Sequence, residues 1–520
     1  MEESRVQIAR AIDAIPALEV TGPTTGEITS VVYDSSVAVD HCCFVAIRGK
    51  WRDGHQYIAD ALAKGATMIV GVDPAPAGFP ADRVYVRVAD SRRELGALAA
   101  ALQGNPSERM AVVGVTGTDG KTTTTNLIDA VLEAGGIRCG LMSTVDFKAG
   151  GERIKNNTRF TTLEAPEVQA LLTQMADSGS ECAVLETTSS GLALHRVYGV
   201  SYDVAVVTNI TSEHLELHGT KEAYWRAKAM LCEAIDPTAK KANMPGTPKA
   251  CVLNADDASY DYLKEFCAAP IISYAVNAPA DIRAERLDLR ADGTTFDVRM
   301  PDDTVFTVET QLVASYNVSN CLAAIAVGYL FGVPAATIAH ALKVFGGVSG
   351  RMERIEVGQP FSVVVDYAHT ADSLEKVLNV LRPLTRGRLI AVFGSAGERD
   401  RVKRPAMGAV AARLADFSVI TDEDPREEDA ASILREIAAG AEARGARDGE
   451  QFICVVGRRE AILAAFERAQ AGDTVLLAGK GHEQSIIIGK EKLPWDDRTV
   501  ARESLTSLGY GSSASTEVVK

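Results

Sequence analysis

No Cys-x-x-Cys pair occurs in this sequence, and its nine cysteines are scattered, with Cys42 and Cys43 adjacent. An odd number at irregular spacing excludes a disulfide framework or a zinc ribbon and reads as reduced thiols. No apolar run approaches the ~18 residues that a membrane helix needs. The longest candidates, such as Ala99 to Leu102 and Ser362 to Val365, are the size of core segments. The first residues are charged where a signal peptide is apolar. Positive charge is in deficit, 54 Lys plus Arg against 69 Asp plus Glu, a net charge of −15. So acidic a chain repels a phosphate backbone or an anionic membrane, which argues against both as main partners. An anionic small molecule in a locally basic pocket stays open. The expectation is a cytoplasmic monomer that binds neither nucleic acid nor membrane.

What is present is globular. Hydrophobic residues make up 46% and charged residues 24% of 520 positions, enough for several cores. Three blocks emerge, with boundaries expected at 1–103, 104–348 and 349–520. The first alternates apolar segments (Ile28 to Tyr33, Cys43 to Ile47, Met68 to Val72, Val84 to Val86) with a helical pattern from Tyr57 to Lys64, a small mixed α/β domain. The second opens with an apolar strand, Met110 to Val115. Strands at Cys182 to Glu186, Val204 to Asn209 and Ala250 to Asn254 follow. They alternate with helices near Thr122 to Ala134, Leu163 to Ser178, Lys221 to Ala234 and Asn317 to Phe331. That succession predicts a parallel sheet covered on both faces. The third follows the flexible joint Gly346 to Gly350. Strands are expected at Ser362 to Asp366, Arg388 to Phe393, Phe417 to Ile420, Phe452 to Val456 and Thr474 to Leu477, with a helix such as Ser432 to Ala443 between them. This is the pattern of a doubly wound, Rossmann-like domain. It has no GxGxxG after its first strand, so no dinucleotide site is indicated. The fold class is α/β in three domains.

The sharpest local signal runs from Val112 to Thr123. A buried strand feeds Gly117-Thr118-Asp119-Gly120-Lys121-Thr122-Thr123 and then a helix. Gly117 and Gly120 let backbone N–H groups curl around an anion, and the helix adds its positive end. Lys121 can reach terminal phosphates, and the Thr122 hydroxyl can ligate Mg²⁺. The spacing departs from the common nucleotide loop at Val115, where that loop has glycine. The loop by itself says nucleotide binding and does not separate a ligase from a kinase or GTPase.

Other segments narrow the choice. They are Leu185 to Leu192, Thr208 to Gly219, Tyr224 to Lys228, Asn317 to Ala324, Asp366 to Thr370 and Lys480 to Glu483. With the loop, they resemble in order the motifs of the Mur ligases, and the loop also resembles that of folylpolyglutamate synthetases. The likeness spans about residues 30 to 500. Tyr33 to Ser36, Phe44 to Gly49 and Asp53 to His55 are similar to the UDP-binding domain of one kind of Mur ligase. That kind adds a diamino acid (meso-diaminopimelate, L-lysine or L-ornithine) to UDP-N-acetylmuramoyl-L-alanyl-D-glutamate. Folylpolyglutamate synthetases lack that domain.

The resemblance implies an ATP- and Mg²⁺-dependent amide ligase of cell-wall precursor synthesis, working through an acyl phosphate. It assigns Lys121, Glu186, His214 and Lys228 to catalysis. Gly117 to Thr123, Asn317, Asn320, Arg351 and Asp366 fall to the nucleotide, with the Gly346 to Gly350 joint as a hinge. Thr122, Glu186, His214 and Lys228, the last as a carbamate, fall to the metals. Ser35, Thr161, Thr162, Ser189 and Arg196 are implied for the muramoyl substrate, and Arg399, Asp424, Arg426, Gly479 and Glu483 for the incoming amino acid.

There are departures. Glu213 precedes His214 where the family has Asp, Ser36 stands where it has Arg, and Glu423-Asp424-Pro425-Arg426 replaces Asp-Asn-Pro-Arg. Arg426 suits a distal carboxylate and Asp424 a distal amine, so the amino acid stays open. Read without the family, Lys228 is a solvated helix lysine, and Glu398 to Arg404 a surface charge run. His214 and His218 lack the HExxH context of a zinc pair. The rival readings are a folylpolyglutamate-type ligase, a nucleotide-binding paralogue without catalysis, and a phosphate-loop kinase.

Overall fold

The computed structural model describes residues 5–49, 52–158, 160–211, 215–241, 244, 246–290 and 293–511. The chain divides into two compact units, and the main part of the second starts at Gly346, within the glycine-rich joint.

The first unit carries two sheets. The smaller runs in the order Glu19–Thr21, Val84–Arg87, Met68–Gly71, Cys42–Val45, Ser30–Val32, parallel except for its first strand. Its inner strands are buried on both faces, hence their unbroken apolar sequences. The single strand expected over Ile28 to Tyr33 is divided, because Glu27–Ile28 leaves to pair with Val6–Gln7. The expected helix at Tyr57 begins as a 3₁₀ turn, Gly54–Tyr57, and is α-helical over Ile58–Ala63.

The larger sheet has eleven strands. Its parallel centre runs Cys139–Met142, Cys182–Glu186, Ala111–Thr116, Val204–Val207, Ala250–Asn254, Ile271–Ala275 and Ile282–Arg290. Antiparallel strands flank it. Asp146–Ala149 and Glu152–Lys155 extend one margin, and Gly293–Arg299 pairs with Val305–Thr310 at the other. Four strands of the parallel centre match expectation; Cys139–Met142, Ile271–Ala275, Ile282–Arg290 and the antiparallel margins have no counterpart in the sequence reading. Helices Ala165–Asp177 and Lys221–Glu233 bury Val168, Leu172, Leu231 and Cys232 against one face. Lys121–Ala134 and Ser315–Leu330 pack together against the sheet as well.

The second unit is doubly wound. Its sheet runs Glu353–Arg354, Ser362–Asp366, Thr474–Ala478, Leu389–Phe393, Phe417–Ile420, Phe452–Cys454, parallel beyond the first pair. The last strand stops two residues before the expected Val456. Separate apolar clusters line the two faces, one around Leu378, Met407 and Ile437, the other around Ile462, Phe466 and Leu505. Among the described residues, no helix is long and apolar enough to cross a membrane.

One buried charge holds the central strands in register at their amino ends. Asp203 is fully buried, and its Oδ2 accepts from Val112 N at 2.7 Å and from Lys241 Nζ at 2.5 Å, while Lys249 Nζ is 2.7 Å from Oδ1. Lys241 also donates to the Met110 and Ser201 carbonyls. Removing one partner of such a pair strands the other charge out of water. Asp203→Ala is therefore expected to lower the free energy of unfolding by ~3–5 kcal/mol, measured by urea denaturation. A loss below ~1 kcal/mol, the range of exposed pairs, would refute this role.

Candidate active site

The carboxyl ends of the central strands gather the residues singled out in the sequence. In register, Glu186 lies beside Val115, and Val207 beside Thr116. The turns that follow therefore open at one level. Gly120 takes φ +81°, and a Cβ there would lie 2.4 Å from Asn320 Oδ1, so the loop needs glycine twice over, for conformation and for space. Thr118 N donates to Asn209 O (2.7 Å) and Asp119 N to Asn209 Oδ1 (2.9 Å), which ties the loop to the neighbouring strand end. Lys121 starts the helix, and its Nζ donates to Thr118 O at 2.7 Å.

Glu186 is almost fully buried. Its Oε1 accepts from the Thr122 hydroxyl (2.9 Å) and its Oε2 from Thr144 N (2.8 Å). Thr144 in turn meets the Thr161 hydroxyl at 3.0 Å. Thr162 Oγ1 donates to Glu186 O and accepts from Thr188 N, so the two following turns are locked together. Arg196 donates to Thr162 O (3.2 Å), pairs with Glu164 (2.8 Å) and lies over the Phe160 ring. Ser189 Oγ meets His218 Nε2 at 3.1 Å.

Lys228 belongs to the helix Lys221–Glu233, pressed close to the loop strand because Gly114 has no side chain. A Cβ there would sit 2.7 Å from both Leu231 and Tyr202. The approach brings Lys228 Nζ to 2.5 Å from Gly117 O, over the Tyr224 ring, and brings Tyr224 OH to 3.0 Å from Thr118 Oγ1. Gly117, Lys121, Thr161, Thr162, Thr188, Ser189, Arg196, Tyr224 and Lys228 share one cavity of about 240 Å³. It mixes cationic side chains, hydroxyls and loop backbone, a lining suited to anionic groups. Thr122 and Glu186 offer hard oxygen donors, and such donors suit Mg²⁺. His214 lies outside the described residues. Asn317 and Asn320 are buried behind the loop, with Asn320 Nδ2 donating to Asn317 Oδ1 at 2.9 Å and the Thr124 hydroxyl donating to Asn320 Oδ1. Ser35 is separate, in a 3₁₀ turn of the first domain, where its carbonyl accepts from Lys64.

In the second unit the same principle holds, with strand carboxyl ends forming a crevice. Asp366 is buried, accepts from Met352 N and Ala368 N, and has its pKa raised by burial, against the pull of Arg351. Arg351 stacks on Tyr367. Lys480, fully buried, donates to Asp424 Oδ1 (2.8 Å) and Glu483 Oε2 (2.5 Å). Asp424 Oδ1 also accepts from Ile487 N. One buried ammonium is thus shared between two carboxylates assigned to the incoming amino acid and offsets part of their charge from within. Arg426 is half-buried at φ +55°, with the Glu398 carboxylate 3.9 Å away. Arg399 is exposed, and Gly479 lies against Glu423.

Sequence reasoning gave no role to Thr144, Tyr224 or the Lys480 side chain. Thr144 sits in no motif. Tyr224 and Lys480 were quoted within segments, but Thr118, which meets Tyr224, is 106 positions away, and Asp424, one of the two partners of Lys480, is 56 away.

Three stretches match family descriptions: residues 27–103 the Mur ligase family catalytic domain, 115–328 the Mur ligase middle domain, and 350–481 the Mur ligase glutamate ligase domain. A UDP-N-acetylmuramyl-tripeptide synthetase of Roseiflexus sp. (strain RS-1) is 50% identical over 498 residues, 94% of this chain and 96% of the relative. The chain belongs to the Mur ligase family. A UDP-N-acetylmuramoyl-L-alanyl-D-glutamate–2,6-diaminopimelate ligase of Geobacillus thermodenitrificans (strain NG80-2) is 39% identical over 500 residues, 96% and 99% of the two chains. A solved structure of a ligase so named superposes with a TM-score of 0.68 at 30% identity, covering 97% of this chain and 99% of the other. This Mur ligase thus has the three-domain architecture of its relatives and is an ATP-dependent ligase of peptidoglycan synthesis. Its substrates are UDP-N-acetylmuramoyl peptides and amino acids.

Glu423 supplies a pH signature. It is buried, its Oε2 accepts no hydrogen bond, and burial pushes its pKa up to about 7 against the opposing pull of Lys403 and Lys480. The folded state therefore holds this proton over a window, from about 4.5 to about 7, in which the unfolded chain has lost it. In that window its contribution to stability falls as pH rises. Glu423→Gln should remove about 3 kcal/mol of pH dependence. The variant's stability relative to the native chain should improve between pH 5 and pH 8 in urea melts; an unchanged difference would show that Glu423 titrates normally.

Proposed function

We propose that this Mur ligase adds a diamino acid to UDP-N-acetylmuramoyl-L-alanyl-D-glutamate, in the cytoplasm, through an acyl phosphate made from ATP. An amine does not displace oxide from a carboxylate. A carboxylate oxygen attacks the γ-phosphorus of ATP, ADP leaves, and the carboxyl becomes an acyl phosphate. The amine then attacks the acyl carbon, phosphate departs and the ammonium proton is lost.

The observation that carries this reading is the single cavity shared by the loop, Lys121, Arg196 and Lys228, with Glu186 and Thr122 beside it. Two like charges at 4 Å repel by ~1 kcal/mol in water and ~4 kcal/mol at an effective dielectric of 20. A site that brings a carboxylate to a triphosphate has to offset several such terms. Lys121 and the amides of Gly117 to Thr123 hold the phosphates; Asn317 and Asn320 take the adenine side, and Arg351 and Asp366 keep their assigned nucleotide role. Bound Mg²⁺, held by Thr122 and Glu186 and by His214 with a carbamylated Lys228, supplies the remaining positive charge. Thr161, Thr162, Ser189 and Arg196 orient the acidic dipeptide, and Ser35 the uridine. Arg426 and Arg399 receive the carboxylates of the incoming amino acid. Asp424, Gly479 and Glu483 shape its pocket around Lys480.

The test is a panel of amino acids with the muramoyl dipeptide and ATP, read by mass spectrometry and phosphate release. A diamino acid should give the tripeptide with one ADP and one phosphate per product. Turnover with a folate and glutamate instead would replace the proposal with the folylpolyglutamate reading. Lys228→Ala should lose ~10²- to 10³-fold in turnover, the scale of losing one preorganised charge-stabilising group. Acetate or formate should restore part of it by standing in for the carbamate. Equal activity with and without the added carboxylate would remove the carbamate from the scheme.

A further inference from the structure

Three cysteines meet outside the site described above. Cys232 lies in the last turn of the helix that carries Tyr224 and Lys228, Cys251 in the strand Ala250–Asn254, and Cys267 just beyond the short helix Tyr260–Lys264. Their sulfur atoms all lie within 4.8 Å of one another. Cys232 and Cys251 are fully buried and Cys267 is half-buried, so the group has one edge toward solvent. Leu253, Leu263 and Ala269 belong to the same apolar cluster, with Phe266 packed against it.

Among the described residues, two further clusters of metal-binding residue types are already committed. His55 meets Asp53 through Nδ1 (2.6 Å) and accepts from Val72 N through Nε2 (3.1 Å), so neither ring nitrogen faces Asp73 as a free ligand. Asp129 and Glu133 are taken by Lys148, and Asp129 also by Arg153.

The three sulfur atoms cluster around one point, and the Cys267 thiol donates to the Leu263 carbonyl at 3.3 Å. A soft divalent cation can replace the three thiol protons, forming three metal–sulfur bonds and releasing three H⁺. Ligand sulfurs ~2.3 Å from a common ion stand ~4 Å apart, within the spread seen here. Mg²⁺ prefers oxygen, so the nucleotide's ion does not compete.

We infer that Cys232, Cys251 and Cys267 form a binding site for one soft, thiophilic metal ion, separate from the nucleotide cavity. The full chain, with Mg²⁺ present, is titrated with cadmium ion while thiolate-to-metal charge-transfer absorption is followed in the ultraviolet. The absorbance should break at one equivalent per chain, and Cys267→Ser should weaken binding at least ~10-fold. On the unaltered chain, one equivalent of cadmium should block alkylation of Cys267 by iodoacetamide and leave the exposed Cys454 reactive. No break at one equivalent, undiminished binding in Cys267→Ser, or protection of Cys454 with Cys267 still alkylated would each overturn the site.

Discussion

The buried carboxylate of Glu186 is the point about which the nucleotide end of the central sheet is organised. It sits at the last position of its strand, beside Val115, and each oxygen takes one neutral donor, the Thr122 hydroxyl and the Thr144 amide. An isolated carboxylate out of water is costly, and two neutral hydrogen bonds offset only part of that cost. Under the proposed function that carboxylate would meet a cation arriving with the phosphates. The surrounding turns follow from it. Thr162 binds the Glu186 carbonyl and the Thr188 amide, Thr144 reaches Thr161, and Arg196 closes the wall through Thr162 and Glu164. A lining built from four successive strand ends is stiff because every turn is held by its neighbour as well as by its own strand.

The doubly wound domain solves a related problem with the opposite sign. Its loops are strapped by buried cations. Lys480 joins Asp424 and Glu483, Arg404 joins Glu428 and Glu436, and Arg458 joins Asp497 while donating to the Asp422 and Ala478 carbonyls. Asp424 illustrates why a motif letter is a poor guide to specificity. As a bare substitution of Asn it suggests an added negative charge facing the ligand. With Lys480 at 2.8 Å and shared with Glu483, part of that charge is offset inside the protein, so the letter alone does not say what the crevice presents to a ligand.

The parallel strands were legible because strands buried on both faces are unbroken apolar runs, such as Cys182–Glu186 and Ala250–Asn254, whose bounds agree with the sequence reading. The meander over Ile282–Thr310 was not. Ile282–Arg290 interleaves Arg, Glu and Asp with short apolar positions on a half-exposed sheet margin, and its pattern is weak. At the site, the loop, Glu186 and Lys228 stood out because each ends a strand or fills a family motif. The contacts that make them a site did not. Thr144, Tyr224 and the Gly114 gap act through partners brought near only by folding, and Gly114 reads in sequence as one more residue of an apolar strand.

Lys228 shows how far the geometry constrains the proposed chemistry. Its ammonium donates to the Gly117 carbonyl and faces the Tyr224 ring, both of which favour a cation. Addition of CO₂ to the neutral amine, with loss of one proton, would keep one N–H able to reach that carbonyl, but would create a carboxylate whose two oxygens share a negative charge that neither the carbonyl nor the ring face welcomes. The oxygens must therefore turn into the cavity that Lys228 lines, toward Lys121 and Arg196. An anion there sits against its own substrate's carboxylate unless positive charge lies between them. In the proposed scheme, carbamylation and occupancy by the metal and phosphates would therefore stabilise one another, whereas the unmodified lysine holds the loop through Gly117.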